Sequence, residues 1–353
     1  MTRVGFAHDL GCVVHLHSLY SDGTGTVAEI AKAARRSGAE VVLLTDHDTL
    51  EARDRGEEGW HDGVLVCVGE EVSPKGHNHY LAFGVDRLVD HAGLDCQGIV
   101  DAVAAAGGFG FPAHPFSTGS PRFRRASGIP WEDLACIGYT GIELWSAVTD
   151  SAEKVRKLTD VGRFIVAPDR FLDHPPAANL AGWDALCAER RVVAIGGVDA
   201  HQIGKRIAGR VPLRLMAYHR SFRLLRTRVL LENALSGDTE RDREAVYAAL
   251  RAGRCYLARD SLAPARDFSF WADGPRRLEM GEENGHAKGL TVHVRTPRPA
   301  RIALLRDGQE VATREGEALD HPAEQPGVYR VEATVTAHGR QRTWILSNPI
   351  YLR

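Results

Sequence analysis

Nine residues of this chain carry side chains suited to holding metal ions: His15, His17, Asp22, His47, Glu71, His79, His114, Asp199 and His201. Each stands at or just beyond the end of a short apolar run. In VVHLHSLYSDGT (13–24), two histidines lie one residue apart at the close of such a run, and Asp22 follows in the loop. If the run is a strand, alternate side chains face the same way, so His15 and His17 share a face. Imidazole and carboxylate donors without cysteine suit Zn, Mn or Fe. Nine donors exceed the need of one ion, whereas three ions sharing a carboxylate use them all. Taken singly, TDHD and GVDAH read as loops with capping aspartates, and His114 before Pro115 reads as a buried histidine bonded to backbone. Taken together and in order, they point to a metal centre.

The elements that must position these residues repeat one pattern through the first three-quarters of the chain. The apolar runs are CVVHLH, VVLLTDHD, VLVCVGEE, HYLAFG, GFGFPAHP, GIELWS and VVAIGGVDAH. Helical stretches are expected over 27–39, 98–106, 151–159 and 183–190. Strands alternating with helices argue for a parallel sheet or barrel, and near-continuous apolar strands for a sheet buried on both faces. In such folds the site lies at the carboxyl ends of the strands. Here the acids and histidines fall repeatedly at those ends. The stretch 220–254 reads as two helices. From about residue 264 the texture changes to alternating polar and apolar residues broken at DG, the signature of short antiparallel strands. The expected division is a barrel over 1–263 and a β-domain over 264–353.

Composition narrows the class. The chain has 353 residues, 44% hydrophobic and 25% charged, enough apolar material for a large core. A formal net charge of −2 recommends no nucleic-acid partner. Cys12, Cys67, Cys96, Cys136, Cys187 and Cys255 are scattered singly, which reads as reduced thiols in a cytoplasmic protein. MTRVGFAHDLG lacks the apolar core of a secretory signal, and no run is long enough for a membrane span, so no membrane partner is expected.

The ordered set HLHSLYSDG, TDHD, GEEVS, HYLAFG, AHP and GVDAH resembles the PHP (polymerase and histidinol phosphatase) superfamily over about 12–201. SFRLLRTRVLL, YAALRAGRCYLARD and SNPIYLR are similar to the CehA/McbA-type metallohydrolase branch, which carries a β-domain after the barrel. The resemblance implies a distorted (β/α)7 barrel followed by a small antiparallel β-sandwich-like domain, an α/β fold with a trinuclear metal centre. It implies one ion held by His15, His17, Glu71 and Asp199. A second shares Glu71 and takes His79 and His114. A third takes Asp22, His47 and His201. The choice of Glu71 over Glu70, and of His79 over His77, rests on the resemblance. His77, two residues from His79, is then expected to touch substrate. Asp46 and Asp48, flanking His47, are candidate partners for ligand imidazoles, with loop capping as the alternative. Glu143 in GIELWS occupies a strand end where the family often carries an acid.

Two to three divalent ions (Zn, Mn or Fe) lower the pKa of bound water and neutralise phosphoryl oxygens. The expected activity is metal-dependent hydrolysis of a small phosphate ester by a metal-bridging hydroxide, with Glu71, Asp199 and His201 as catalytic residues. Arg206, Arg210, Arg223 and Arg226 follow the last metal motif and are candidates to grip phosphate. The alternatives are a carboxylic or carbamic ester hydrolase of the same fold, and a non-catalytic binding protein stabilised by metal.

Overall fold

The structure is a computed structural model, and it describes residues 6–120, 128–274, 276–285 and 289–353. All seven expected runs form strands. β1 (His8–Val14) leads through α1 (Val27–Ser37) to β2 (Val41–His47), then α2 (Glu51–Asp54), β3 (Gly59–His61) and β4 (Val64–Val72). Helix α1 shows why this stretch folds locally. Thr26 and Glu29 form a capping box, Val27, Ile30, Ala31 and Ala34 make the buried stripe, and Gly38 ends it at φ 80°. β1, β2 and β4 pair in parallel, and β2 and β4 are buried almost throughout.

The all-parallel pattern then breaks. β5 (Tyr80–Phe83) runs antiparallel to β4, and β6 (Phe109–Pro112), reached through α3 (Cys96–Ala105), runs antiparallel to β5. β7 (Gly141–Ser146) and β8 (Val193–Gly197) form a separate parallel pair. Between them lie α4 (Thr149–Ala152), α5 (Leu158–Val166) and α6 (Ala177–Glu189). The single helix expected over 151–159 is therefore a break between α4 and α5. The stretch 220–254 also departs from expectation. It holds the end of the one-turn α7 (Tyr218–Ser221), a strand β9 (Arg226–Leu231) and the helix α8 (Thr239–Arg251). RTRVLL becomes a strand because its backbone pairs with β1 on one side and with β10 (Cys255–Ala258) on the other. The architecture is thus a mixed, sheet-rich α/β fold and not a purely parallel one.

The remaining strands are β11 (Ser269–Asp273), β12 (Leu278–Glu279), β13 (Glu283–Asn284), β14 (Thr291–Arg306), β15 (Gln309–Pro322), β16 (Gly327–Ala337), β17 (Arg340–Ser347) and β18 (Ile350–Leu352). Most pair antiparallel. The DG break is a tight β14–β15 hairpin with Asp307 at φ 51° and Gly308 at φ 76°. The expected boundary at 263/264 falls between β10 and β11, yet β10 pairs with β17, so one hydrogen-bonded sheet runs through both regions.

Side chains complete what strand pairing leaves open around β8. Thr227 Oγ1 accepts from Gly196 N–H and donates to Gly196 O, both at 2.9 Å. The buried Asn348 carboxamide accepts from Ala194 N–H at 2.7 Å and donates to Ala194 O and Cys255 O at 2.9 Å each. β8 is thereby stitched to β9 and β10, and its outgoing residues are held beside β1. The six cysteines are buried and unpaired. Among the described residues no helix is long and apolar enough to cross a membrane.

Candidate metal centre

The nine candidate donors converge at one end of the strands. Those with a donor atom within 4.8 Å of one another form four overlapping groups: His17, Asp22, His47 and His201; His15, His17 and Asp199; His15, Glu71 and His114; His47, Glu71 and His79. His15 and His17 face the same centre, but not through a strand pleat. β1 ends at Val14, and His15 sits in the left-handed region at φ 62°. The chain continues as a rung against the residues after β8, with Val198 N–H donating to Val14 O and His17 N–H to Ala200 O. Asp199 at φ 53° and His114 at φ 32° are also left-handed. Such conformations in non-glycine residues cost about 1–3 kcal/mol each and cluster at functional sites.

Glu71, on the buried β4, lies at the centre. Its Oε2 is 3.1 Å from His15 Nε2 and 3.3 Å from His17 Nε2, while Oε1 is 2.7 Å from His79 Nδ1 and 3.6 Å from His114 Nε2. Oε2 also lies 3.3 Å from His47 Nδ1, so the two oxygens face different sets of imidazoles, three at Oε2 and two at Oε1. Asp199 Oδ1 lies 3.6 Å from His15 Nε2, 3.5 Å from His17 Nε2 and 3.5 Å from His201 Nδ1. Asp22 Oδ1 is 3.2 Å from His201 Nε2 and 3.8 Å from His47 Nε2. Donors about 2.1 Å from a common tetrahedral ion stand about 3.4 Å apart, so the spacings among His15, His17, Glu71 and Asp199 fit an ion.

His17 gives the sharpest sign of fit. The ring is wholly buried, yet neither nitrogen makes a hydrogen bond. Burial, with His201 and His47 alongside, pushes its pKa down to about 4, so the ring is neutral and its lone pair available. An unpaired polar atom in such a place is costly unless something satisfies it. The carboxylates supply the opposite charge. Burial alone would raise Glu71, but His15 and the neighbouring His114 and His79 hold it well below the usual range, and His15 and His201 do the same for Asp199. Without metal, protons take the cation's place. Burial opposes charge on His15, yet Glu143 and Glu71 hold it well above its ordinary value. His201 is pushed up to about 9 by Asp22 and Asp199 against its burial.

Partners behind the donors fix which nitrogen points inward. Glu143 Oε1 accepts from His15 Nδ1 at 2.9 Å, leaving His15 Nε2 for the centre, and Glu143 Oε2 accepts from His114 N–H at 2.7 Å. Glu143 therefore serves the donors. Gly197 makes room for it, since a Cβ there would meet Glu143 Oε1 at 1.8 Å. Ser73 holds His47. Its Oγ donates to Glu71 O at 2.7 Å and so accepts from His47 Nδ1–H at 2.6 Å, which frees Nε2. Thr149 Oγ1 donates to Asp199 Oδ2 at 2.6 Å and leaves Oδ1 for the cluster. Ser73 is the last residue of GEEVS, where the sequence assigns it no role, and Thr149 stands in no motif. Asp46 and Asp48 do not bond His47. Asp46 accepts from Ser18 N–H, Ser18 Oγ and Ser21 Oγ, and Asp48 accepts from Ser73 N–H.

A cavity of about 320 Å³ opens over the cluster. Its far wall is Ser117, Gly119, Ile129, Val148, Thr149 and Ala152. The expected substrate contacts lie elsewhere. His77 precedes β5 in a turn, with Glu132 as its neighbour at 3.7 Å. Arg206 is bound to Glu29 and to the carbonyls of Thr24 and Gly209. Arg226 is buried against Asp260 and the carbonyls of Ser37 and Gly38. Arg210 and Arg223 are exposed and do not line the cavity. Glu70 points to the other face of β4, where Oε1 accepts from Val89 N–H at 3.0 Å.

No family model matches the chain. A phosphoribosyl 1,2-cyclic phosphate 1,2-diphosphodiesterase of Eggerthella lenta is 35% identical over 80 residues. That match covers 21% of this chain and 30% of the relative, so the chain spans under a third of that protein. Among solved structures, a two-domain protein of Bacteroides vulgatus containing a predicted PHP-like metal-dependent phosphoesterase is 15% identical. The similarity covers 98% of both chains with a TM-score of 0.47. A protein of Bifidobacterium adolescentis described as a metal-dependent phosphoesterase is 19% identical, over 62% of this chain and 96% of that one, with a TM-score of 0.37.

Proposed function

We propose that the chain is a metal-dependent hydrolase of the PHP superfamily, CehA/McbA branch, acting on a small phosphate ester. The observation that carries this reading is Glu71, whose Oε2 faces His15, His17 and His47 and whose Oε1 faces His79 and His114, while Asp22 and His201 gather beside His47. On this reading two to three divalent ions (Zn, Mn or Fe) would be held, one by His15, His17, Glu71 and Asp199, one by Glu71, His79 and His114, and one by Asp22, His47 and His201. When bound, such ions polarise a phosphoryl oxygen and lower the pKa of water. The chain's own residues do the rest. Glu143 and Ser73 hold His15 and His47 in the tautomers that present Nε2. Thr149 keeps its proton on Asp199 Oδ2 and turns Oδ1 to the cluster. Ile129, Val148 and Ala152 form an apolar wall against the non-phosphate part of the substrate and limit water around it.

A second reading is hydrolysis of a carboxylic or carbamic ester, since the same donors and apolar wall suit a carbonyl polarised by metal as well as a phosphoryl group. The test is elemental analysis of the purified protein together with nitrophenyl phosphate and nitrophenyl acetate assays, each with and without added Mn or Zn. Faster turnover of the phosphate, abolished by chelation, is the expected result. Preference for the acetate selects the second reading. Metal below about one ion per chain with activity intact sinks both, since ligand sets of this kind bind metal as part of the folded state.

A further inference from the structure

The arginines expected to grip phosphate are not in the cavity, and they belong to another feature. Residues 203–223 (IGKRIAGRVPLRLMAYHRSFR) hold six cations and no carboxylate, on a chain of net charge −2. Arg210, Arg220 and Arg223 have no ion pair among the described residues. Aliphatic side chains protrude from the same segment: Ile203 and Ile207 are 57% exposed and Leu213 is 71% exposed. Helix α5 adds Leu158 at 75% and Val166 at 76%. The two segments meet in a groove of about 400 Å³ with Ile165, Val166, Pro212, Leu215 and Met216 in its walls and Arg214, His219 and Arg220 at its edge. The local field is positive. Burial and then Arg36, Arg220, Arg214 and Arg223 depress the His219 imidazole.

Exposed aliphatic groups beside unpaired arginines select among partners. A second copy would set the same cations face to face across a two-fold axis. Single-stranded nucleic acid prefers aromatic stacking platforms, whereas the protruding residues here are aliphatic. An anionic lipid surface offers phosphates for the arginines and an acyl boundary for Leu, Ile and Val. We propose that α5 and residues 203–223 dock the protein onto an anionic phospholipid surface. The proposal goes beyond the hydrolase reading and does not rest on it. It also replaces the expectation of no membrane partner, which whole-chain charge and hydropathy suggested.

The experiment is vesicle co-sedimentation of the full chain. Vesicles of phosphatidylcholine alone are compared with vesicles containing about 30% phosphatidylglycerol, at low and at high salt. Binding is expected to the anionic vesicles only, and to weaken with salt. Each arginine near such a surface contributes about five-fold, the equivalent of about 1 kcal/mol, so Arg210→Gln with Arg220→Gln should weaken binding about 25-fold. Leu213→Ser with Val166→Ser should also weaken it, at unchanged charge. Thermal unfolding checks that each variant is folded, and Arg223→Gln serves as a second charge variant. Absence of binding at low salt, or equal binding to phosphatidylcholine, overturns the proposal. Undiminished binding by the serine variant also overturns it, and leaves a face that attracts any polyanion, such as an acidic protein.

Discussion

Replacing Glu143 by glutamine separates orientation of a ligand from ligation itself. The carboxylate accepts two hydrogen bonds at once, from His15 Nδ1–H at 2.9 Å and from His114 N–H at 2.7 Å. Glutamine has one acceptor oxygen, and its NH2 must face the other donor. If that oxygen stays with His114 N–H, the NH2 donates to His15 Nδ1. The His15 proton then moves to Nε2, which points at Glu71 Oε2 3.1 Å away and no longer offers a lone pair. If the oxygen goes to His15, the buried His114 N–H is orphaned at a cost of about 1–3 kcal/mol. Either outcome disturbs the donor set while leaving every proposed ligand in place. Loss of such a supporting partner lowers metal affinity about 10–100-fold, or about 1.4–2.7 kcal/mol. The assay is competition against a chromophoric chelator with Zn or Mn at fixed pH, comparing Glu143→Gln with the parent. Gly197→Ala, which would drive a Cβ into Glu143 Oε1, should show a loss in the same direction. Affinities within about two-fold of the parent would refute the account of Glu143 as the group that sets the His15 tautomer.

Glu71→Ala should reduce metal content and turnover far more than Glu70→Ala, because Glu71 meets five imidazoles and Glu70 only Val89 N–H; equal losses in metal analysis and nitrophenyl phosphate assays would show that the wrong acid was chosen. Metal affinity should rise steadily from pH 6.5 to about 9, because an ion must displace the proton held by His201, and chelator competition across that range checks it. The metal-free protein should do the reverse. The folded pKa of His201 lies above its ordinary value of 6.5, so its contribution to stability is full below pH 6.5 and lost as pH rises through about 9; denaturant unfolding at both ends of the range tests the sign. Asn348→Ala removes the partner of Ala194 N–H and two further buried hydrogen bonds, and should cost about 2–5 kcal/mol in urea unfolding; a change below about 0.5 kcal/mol would mean that water or relaxation replaces the carboxamide.

Strand ends were readable because polar residues interrupt otherwise continuous apolar runs, and α1 was readable because its cap, stripe and closing glycine are all local. The candidate donors are legible for the same reason: all nine sit in short motifs, seven of them without a competing neighbour, while Glu71 over Glu70 and His79 over His77 rest on resemblance. The argument for His15 and His17 reached the right convergence by the wrong route, since a left-handed His15 and a rung to Ala200 turn the chain there. RTRVLL lies in a stretch that reads as helical, but its arginines Arg226 and Arg228 are buried in a strand. Their partners, Asp260 and Asp9, are distant in sequence, and a short run does not reveal them. The roles of Ser73, the last residue of GEEVS, and of Thr149 stay hidden for a related reason. A hydroxyl that orients a ligand needs only one well-placed bond, and no spacing rule announces it. Arg226 shows the converse, a conspicuous cation that folding commits to backbone carbonyls.

The Asn348 carboxamide has a consequence for the order in which the molecule can be made. β8 delivers Asp199 and His201, and its Ala194 backbone is satisfied by a side chain far downstream. A ribosome releases the donors of His15, Glu71 and His114 first, then β8, and only much later Asn348. Until that residue emerges, the strand that brings two of the nine donors has an open edge, and a nascent chain can gather its histidines without being able to lock them. Termination before residue 348 would leave β8 less firmly held although all nine candidate donors had already been made, and a chaperone that shields β8 during synthesis would act on this site without touching it.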